Sequence, residues 1–329
     1  MKRQTVFKLA AMAVLSLGLG LGLGAQAQDK APIKILVGFP PGGSTDLVAR
    51  LLAEKMAVVL KQPIIVDNKP GAGGRMAAQA LKASAPDGLT YMIAPNATPV
   101  LQTLLYPVEV LKYDMLKDLT PVAVLVTYPL AIAVNTQSGV KNIKEYAAWV
   151  KANPKEASFG TAGAGGHTHF SGLQLGKAIG QPLQVVPYRG NGPMVTDLLG
   201  GQVPAGIMTA GDVLQHQKSG KVRVLAQFGA KRSPLMPDVP TLIEQGYNLD
   251  TGDAWTGMWA PAKIPPVELD RVQNAIKYVL ALPEVREQLV NKATLNPDFK
   301  PAADMDALQR KELQYWAPII KESNFKPES

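Results

Sequence analysis

The sequence predicts an α/β protein built as two lobes with a ligand cleft between them. Three observations lead to this. Between Ile33 and Ala94, short β-branched runs alternate with helical patterns, the order of a parallel sheet covered by helices. The same alternation restarts after Ala157. Each stretch also carries a glycine-rich turn between a strand and a helix: "FPPGGSTD" (Phe39 to Asp46) and "GTAGAGGHTHF" (Gly160 to Phe170).

The elements follow in order. Lys2, Arg3 and Lys8 precede an apolar, glycine-rich run from Leu9 to Leu23, and Ala25-Gln26-Ala27 is a small-x-small cleavage pattern. Residues 1–27 therefore read as a secretory signal peptide cleaved after Ala27, which places the mature protein in the periplasm. Ile33 to Phe39 is a buried strand ended by Pro40-Pro41-Gly42-Gly43. Leu47, Val48, Leu51, Leu52, Met56, Val59 and Leu60 then recur at helical spacing. Pro63 to Val66 and Tyr91 to Ala94 are strands, separated by "NKPGAGG" (Asn68 to Gly74) and a helix over Met76 to Ala83. Pro121 to Asn135 holds two apolar runs broken at Tyr128-Pro129. Asn142 and Glu145 have capping-box spacing for a helix through Val150. Strands are expected at Ala157–Gly160, Leu183–Tyr188, Val203–Met208, Val222–Phe228 and Ala254–Ala260. Helices follow the turns at Gly160 and at "RGNGP" (Arg189 to Pro193), the second ending at Gly200-Gly201. The last third is helical, from Val267, from Pro283 and from Ala303 to Glu322.

If the terminal helices pack back on the first lobe, lobe 1 comprises residues 28–128 and 252–329, and lobe 2 residues 129–251. The chain then crosses twice between lobes, near Val126 to Ala131 and near Tyr247 to Ala254, an arrangement that can hinge and close.

Composition narrows the chemistry. Without the signal peptide, 302 of the 329 residues remain, enough for two cores. Losing Lys2, Arg3 and Lys8 lowers the net charge from +8 to +5, with no basic run, which argues against nucleic acid and suits small anions. Cysteine is absent, so disulfides, thiolate metal sites and cysteine nucleophiles are excluded together. No metal site or cofactor is expected. His167 and His169 are two residues apart and would be splayed on a helix, and His216 stands alone. No P-loop and no Gly-x-Ser-x-Gly elbow occurs.

What remains is anion binding. Gly42, Gly43, Ser44 and Thr45 lie at a helix start, where unpartnered N–H groups and the helix dipole favour a carboxylate or phosphate. Asp46 in that first turn either satisfies backbone N–H groups or faces the ligand. The Gly163 to Gly166 turn offers a second such place, with His169 as a polar contact or a structural hydrogen bond. Trp255 is either core or cleft wall.

The chain also resembles the Bug-type solute receptors of tripartite tricarboxylate transporters. The residues that carry the resemblance are "FPPGGSTDLVAR" (Phe39 to Arg50), "NKPGAGG", "PDG" (Pro86 to Gly88), "VPYRGNGP" (Val186 to Pro193), "LLGGQV" (Leu198 to Val203), "PDVPTLIEQGY" (Pro237 to Tyr247) and "WTGMWAPAKIP" (Trp255 to Pro265). The resemblance implies a flytrap-like, periplasmic-binding-protein fold. It implies a monomeric, non-enzymatic receptor that captures a small organic carboxylate and delivers it to the transporter's membrane subunits. The residues it implies at the ligand are Phe39, Gly42, Gly43, Ser44, Thr45 and Asp46 in one lobe, with Asn96, Ala97 and Thr98 after the third strand. Thr161, Gly163, Gly165, Gly166 and His169 come from the other. Gly166, Phe170 and Leu173 depart from the family's usual pattern and alter the second-lobe wall. The alternatives are an exported hydrolase using Ser44 or His169, and a sensor that presents its ligand to a membrane signalling partner.

Overall fold

The computed structural model describes residues 30–327; the expected signal peptide and its expected cleavage point lie outside that range. Eleven strands form two sheets. The first is ordered β11-β4-β10-β3-β1-β2 and the second β7-β6-β8-β5-β9.

The first sheet starts from β1 (Ile33–Val37), β2 (Ile64–Asn68) and β3 (Thr90–Pro95), all parallel. Val37 lies opposite both Asn68 and Ile93, so the carboxyl ends of the three strands are level. The loops that leave them therefore gather at one edge, where open α/β sheets place their ligands. Helix α1 (Ser44–Leu60) returns from β1, and α2 (Arg75–Lys82) from β2. Single helical turns at Ala97–Leu101, Gln102–Leu105, Val108–Leu111 and Met115–Asp118 lead to β4 (Leu119–Tyr128). Apart from the exposed Lys34, β1 is apolar on both faces, and both are packed. Ile35 and Val37 pack with Val48, Leu52 and Met56, and Leu36 packs with Ala77, Met92 and Trp259.

At Pro129 the chain enters the second sheet as β5 (Leu130–Asn135). Helix α3 (Ile143–Ala152) begins with the expected capping box: Glu145 N–H donates to Asn142 Oδ1 (2.9 Å), and Glu145 Oε2 accepts from Lys141 N–H (2.8 Å). Then come β6 (Ser158–Thr161), α4 (His167–Ala178), β7 (Gln184–Pro187), α5 (Asn191–Leu199), β8 (Ala205–Thr209), α6 (Ala210–Lys218) and β9 (Val222–Gln227).

The chain returns as β10 (Ala254–Pro261), antiparallel between β3 and β4. Helix α7 (Pro266–Ala281) covers the α1 face. β11 (Asn296–Pro301) pairs with β4 across a register shift. Helix α8 (Ala302–Glu322) begins in the first lobe, where Met305 is buried against Trp255 and Trp259. It ends against the second: Trp316 and Ile320 pack on Phe170 of α4, and Lys177 Nζ pairs with Glu322 at 3.1 Å. Among the described residues no helix is long and apolar enough to cross a membrane.

Besides the single turns between Ala97 and Asp118, one strand and one longer helix were not expected from the sequence. β11 carries Pro297 and Pro301, which read as loop; the strand is tolerated at the sheet's edge, where lost N–H donors matter least. Helix α6 follows β8 without a break, its polar face hiding the period.

Candidate functional site

A cavity of about 630 Å³ lies between the lobes. One wall is the edge formed by the first-lobe loops: Phe39 after β1, Ala72, Gly73 and Arg75 after β2, and Pro95, Ala97, Thr98, Gln102, Leu105 and Tyr106 after β3. The other is the β6–α4 turn, Ala162 to Gly166 with Thr168.

Close approach of the first-lobe loops depends on Gly74. It has φ +94°, and a Cβ there would stand 2.8 Å from Thr98 Oγ1 and 3.4 Å from the Phe39 ring. Thr98 Oγ1 and Gln102 Nε2 both donate to the Gly73 carbonyl, at 2.9 and 2.7 Å. These bonds tie the β2 and β3 loops together. The Arg75 guanidinium lies over the Tyr106 ring, 4.1 Å from its centroid, and Nε donates to Ala72 O at 3.1 Å. Two buried polar atoms of this wall, Arg75 Nη1 and Gln102 Oε1, have no hydrogen-bond partner.

On the opposite wall, Gly166 is the N-cap of α4 and no side chain caps it. The open N–H groups of that helix start therefore stand beside the cavity. Gly165 adopts φ +73°, and its N–H donates to His169 Nδ1 at 3.1 Å. Thr161 and Thr168 hydroxyls are hydrogen-bonded to each other. The sixteen lining residues include no carboxylate and one formal charge, Arg75.

Of the residues singled out by sequence, Phe39, Ala97, Thr98, Gly163, Gly165 and Gly166 come together in this cavity. Gly42, Gly43, Ser44, Thr45 and Asp46 do not line it. Asp46 holds its own loop instead: Oδ2 accepts from Gly42 N–H (2.9 Å) and Arg50 Nε (2.8 Å), and Oδ1 from Asn68 Nδ2 (2.9 Å). Burial pushes its carboxyl up, but these hydrogen bonds prevail and hold it below the ordinary value. Asn68 Nδ2 also donates to Phe39 O, so the network sets the position of Phe39 at the cavity.

Thr161, His169, Asn96 and Trp255 are buried behind the walls. His169 packs edge-on against Phe325, with burial lowering its basicity, and buttresses the glycine turn from behind. His167, on the same helix, points elsewhere: Nε2 lies 3.0 Å from Thr251 O, and burial lowers its pKa to about 4. The two histidines are splayed, as a helix requires. Asn96 Nδ2 and Trp255 Nε1 converge on Glu312 of α8, at 3.0 and 2.6 Å. Burial pushes the Glu312 carboxyl up to about 7 against those two donors.

Sequence reasoning missed Arg75, Gln102 and Tyr106. Arg75 had a signal: a cation in the first turn of a helix, directly after a glycine turn, opposes the helix dipole and calls for a reason. Gln102 lies in a single helical turn too short to show a period, and Tyr106 in the extended link that follows it.

Two α/β lobes, joined by paired crossings and enclosing a cleft walled by loops from both, define a solute-binding receptor. Comparison with known proteins makes this specific. The family model described as "Tripartite tricarboxylate transporter family receptor" matches residues 48–325. The chain is 33% identical over 299 residues to protein BugT of Bordetella pertussis, covering 90% of each sequence. The solved structure of the periplasmic binding protein BugD is similar at TM-score 0.74 and 31% identity, covering 90% of this chain and 99% of that one. MatC from Rhodopseudomonas palustris, solved with bound malate, is similar at TM-score 0.74 and 30% identity, covering 88% and 99%. The chain belongs to the tripartite tricarboxylate transporter receptor family.

Proposed function

We propose that this protein captures a small organic carboxylate between its lobes, in the periplasm after cleavage behind Ala27, and passes it as a monomer to the membrane subunits of a tripartite tricarboxylate transporter. The observation that carries the reading is the charge balance of the cavity. An uncapped helix start and one guanidinium face it, and no carboxylate does. Such a site favours anions and repels none. The relatives' ligands agree in class: malate in MatC, and adipate in an R. palustris protein 25% identical to this chain.

Phe39, Ala97 and Thr98 from one lobe, with Gly163, Gly165 and Gly166 from the other, are the proposed contacts. Charge-assisted hydrogen bonds contribute about 1.5–3 kcal/mol each, so a few exceed the roughly 8 kcal/mol of a micromolar complex before ordering costs. No bond-making step is part of this reading; the Gly165 N–H occupies His169 Nδ1, the nitrogen a general base would need free on that side. Calorimetry of the purified mature chain against organic acids and neutral sugars tests it. Heat of binding from at least one acid and from no sugar is expected; the reverse pattern overturns it.

A further inference from the structure

We propose that Arg75 is the residue by which this receptor selects ligands with two acid groups over ligands with one. The inference rests on the carboxylate reading above and adds which side chain reads the second charge.

Four observations converge on it. Arg75 is the one formally charged residue among those lining the cavity, and it belongs to the first-lobe wall, across from the glycine turn. Among the described residues no ion pair involves it, although ten others are formed elsewhere. The guanidinium is held in place by the Tyr106 ring and by the Ala72 carbonyl. Its Nη1 is nevertheless buried without a partner.

A guanidinium that is fixed, without an ion-pair partner and with one nitrogen shielded from water is preorganised for an anion. Leaving such a donor unmatched is unfavourable, and a planar acid group is the partner whose geometry fits its fork. The two walls divide the task. Backbone N–H groups at the start of α4 suit the carboxylate that every organic-acid ligand carries. Arg75 meets a second acid group at the other end.

Calorimetric titration of the mature chain tests the proposal, with succinate, glutarate and adipate as diacids and butyrate, pentanoate and hexanoate as matching monoacids. At least one diacid is expected to bind the unaltered protein about tenfold or more tightly than the monoacid of equal carbon number. Arg75→Gln should abolish that advantage, weakening the diacid about tenfold and the monoacid by clearly less, because the contact to the second acid group is the one lost. Arg75→Lys should retain part of it, keeping the charge but losing the planar fork. Melting curves establish that each variant is folded. If Arg75→Gln does not fold, Tyr106→Leu gives the same reading by releasing the guanidinium from its platform. Equal weakening of both ligand classes, an unchanged diacid advantage in Arg75→Gln, or a protein that prefers monoacids overturns the role of Arg75 and leaves carboxylate capture intact. A protein that binds none of the six acids or any other organic acid overturns the carboxylate reading itself, and this inference with it.

Discussion

Asp46 and Glu312 are two buried acids with opposite fates. Asp46 collects three donors, one of them the Arg50 guanidinium, and its proton affinity falls. Glu312 of α8 collects two neutral donors, and burial prevails. A raised carboxyl binds its proton more readily in the folded state than in the unfolded one. Its favourable contribution is therefore complete below the ordinary value and is lost as pH climbs toward about 7. Glu312→Gln never ionises, so its melting temperature relative to the unaltered protein should rise from pH 5 and level off above about pH 7; a pH-independent difference would show that Glu312 does not titrate there. Asp46 works in the other direction. Asp46→Ala should destabilise by roughly 1–3 kcal/mol at neutral pH, read by denaturant unfolding, with a smaller penalty in acid. It should also weaken ligand binding through the displaced Phe39 loop. The sequence made Asp46 visible as an acid in a first helical turn. Glu312 could not be seen, because its partners Asn96 and Trp255 are 216 and 57 positions away.

The turn from β6 into α4 illustrates what an element adds to its residues. Its glycines look alike in the sequence, yet they have different tasks. Gly163 has open space around a virtual Cβ, whereas Gly165 combines φ +73° with Phe325 at 3.0 Å and Leu105 at 3.1 Å. Gly165→Ala should therefore deform the turn and weaken carboxylate binding about five- to thirtyfold, by roughly the 1–2 kcal/mol of a forced left-handed residue. Gly163→Ala should be tolerated in melting temperature, and any loss of affinity there reports direct contact with ligand. Calorimetry of the two variants side by side separates these roles. At this scale much was legible: the strand–turn–helix units, the α3 capping box and the break at Pro129 follow from local pattern. β11 was not, because its edge position rather than its composition permits two prolines in a strand. The inward aim of the anion-binding turns was only half legible. Glycine at a helix start reveals that N–H groups are available, but not which way they face; the first residues of α1 are absent from the cavity lining, while α4 begins within it.

For the whole molecule, α8 ties the lobes together. It is rooted beside Trp255 and Trp259, and its far end meets α4 through Trp316, Ile320 and the residue beyond, Phe325, whose ring lies 5.0 Å from that of His169. Closure of the cleft must keep or remake those contacts. Phe325→Ala should lower the melting temperature and reduce ligand affinity, and small-angle scattering should show a larger radius of gyration for the ligand-bound variant than for the ligand-bound parent protein; identical scattering would remove the helix end from any role in closure. The placement of β10 has a consequence in time rather than in space. Residues 130–227 supply every strand of the second sheet without interruption. The first sheet waits, since β10, the strand between β3 and β4, is made only after the entire second lobe. As the chain emerges amino end first, the later lobe can condense while the earlier one stands unfinished. The oldest part of the polypeptide thus cannot complete its sheet until the whole second lobe has been made.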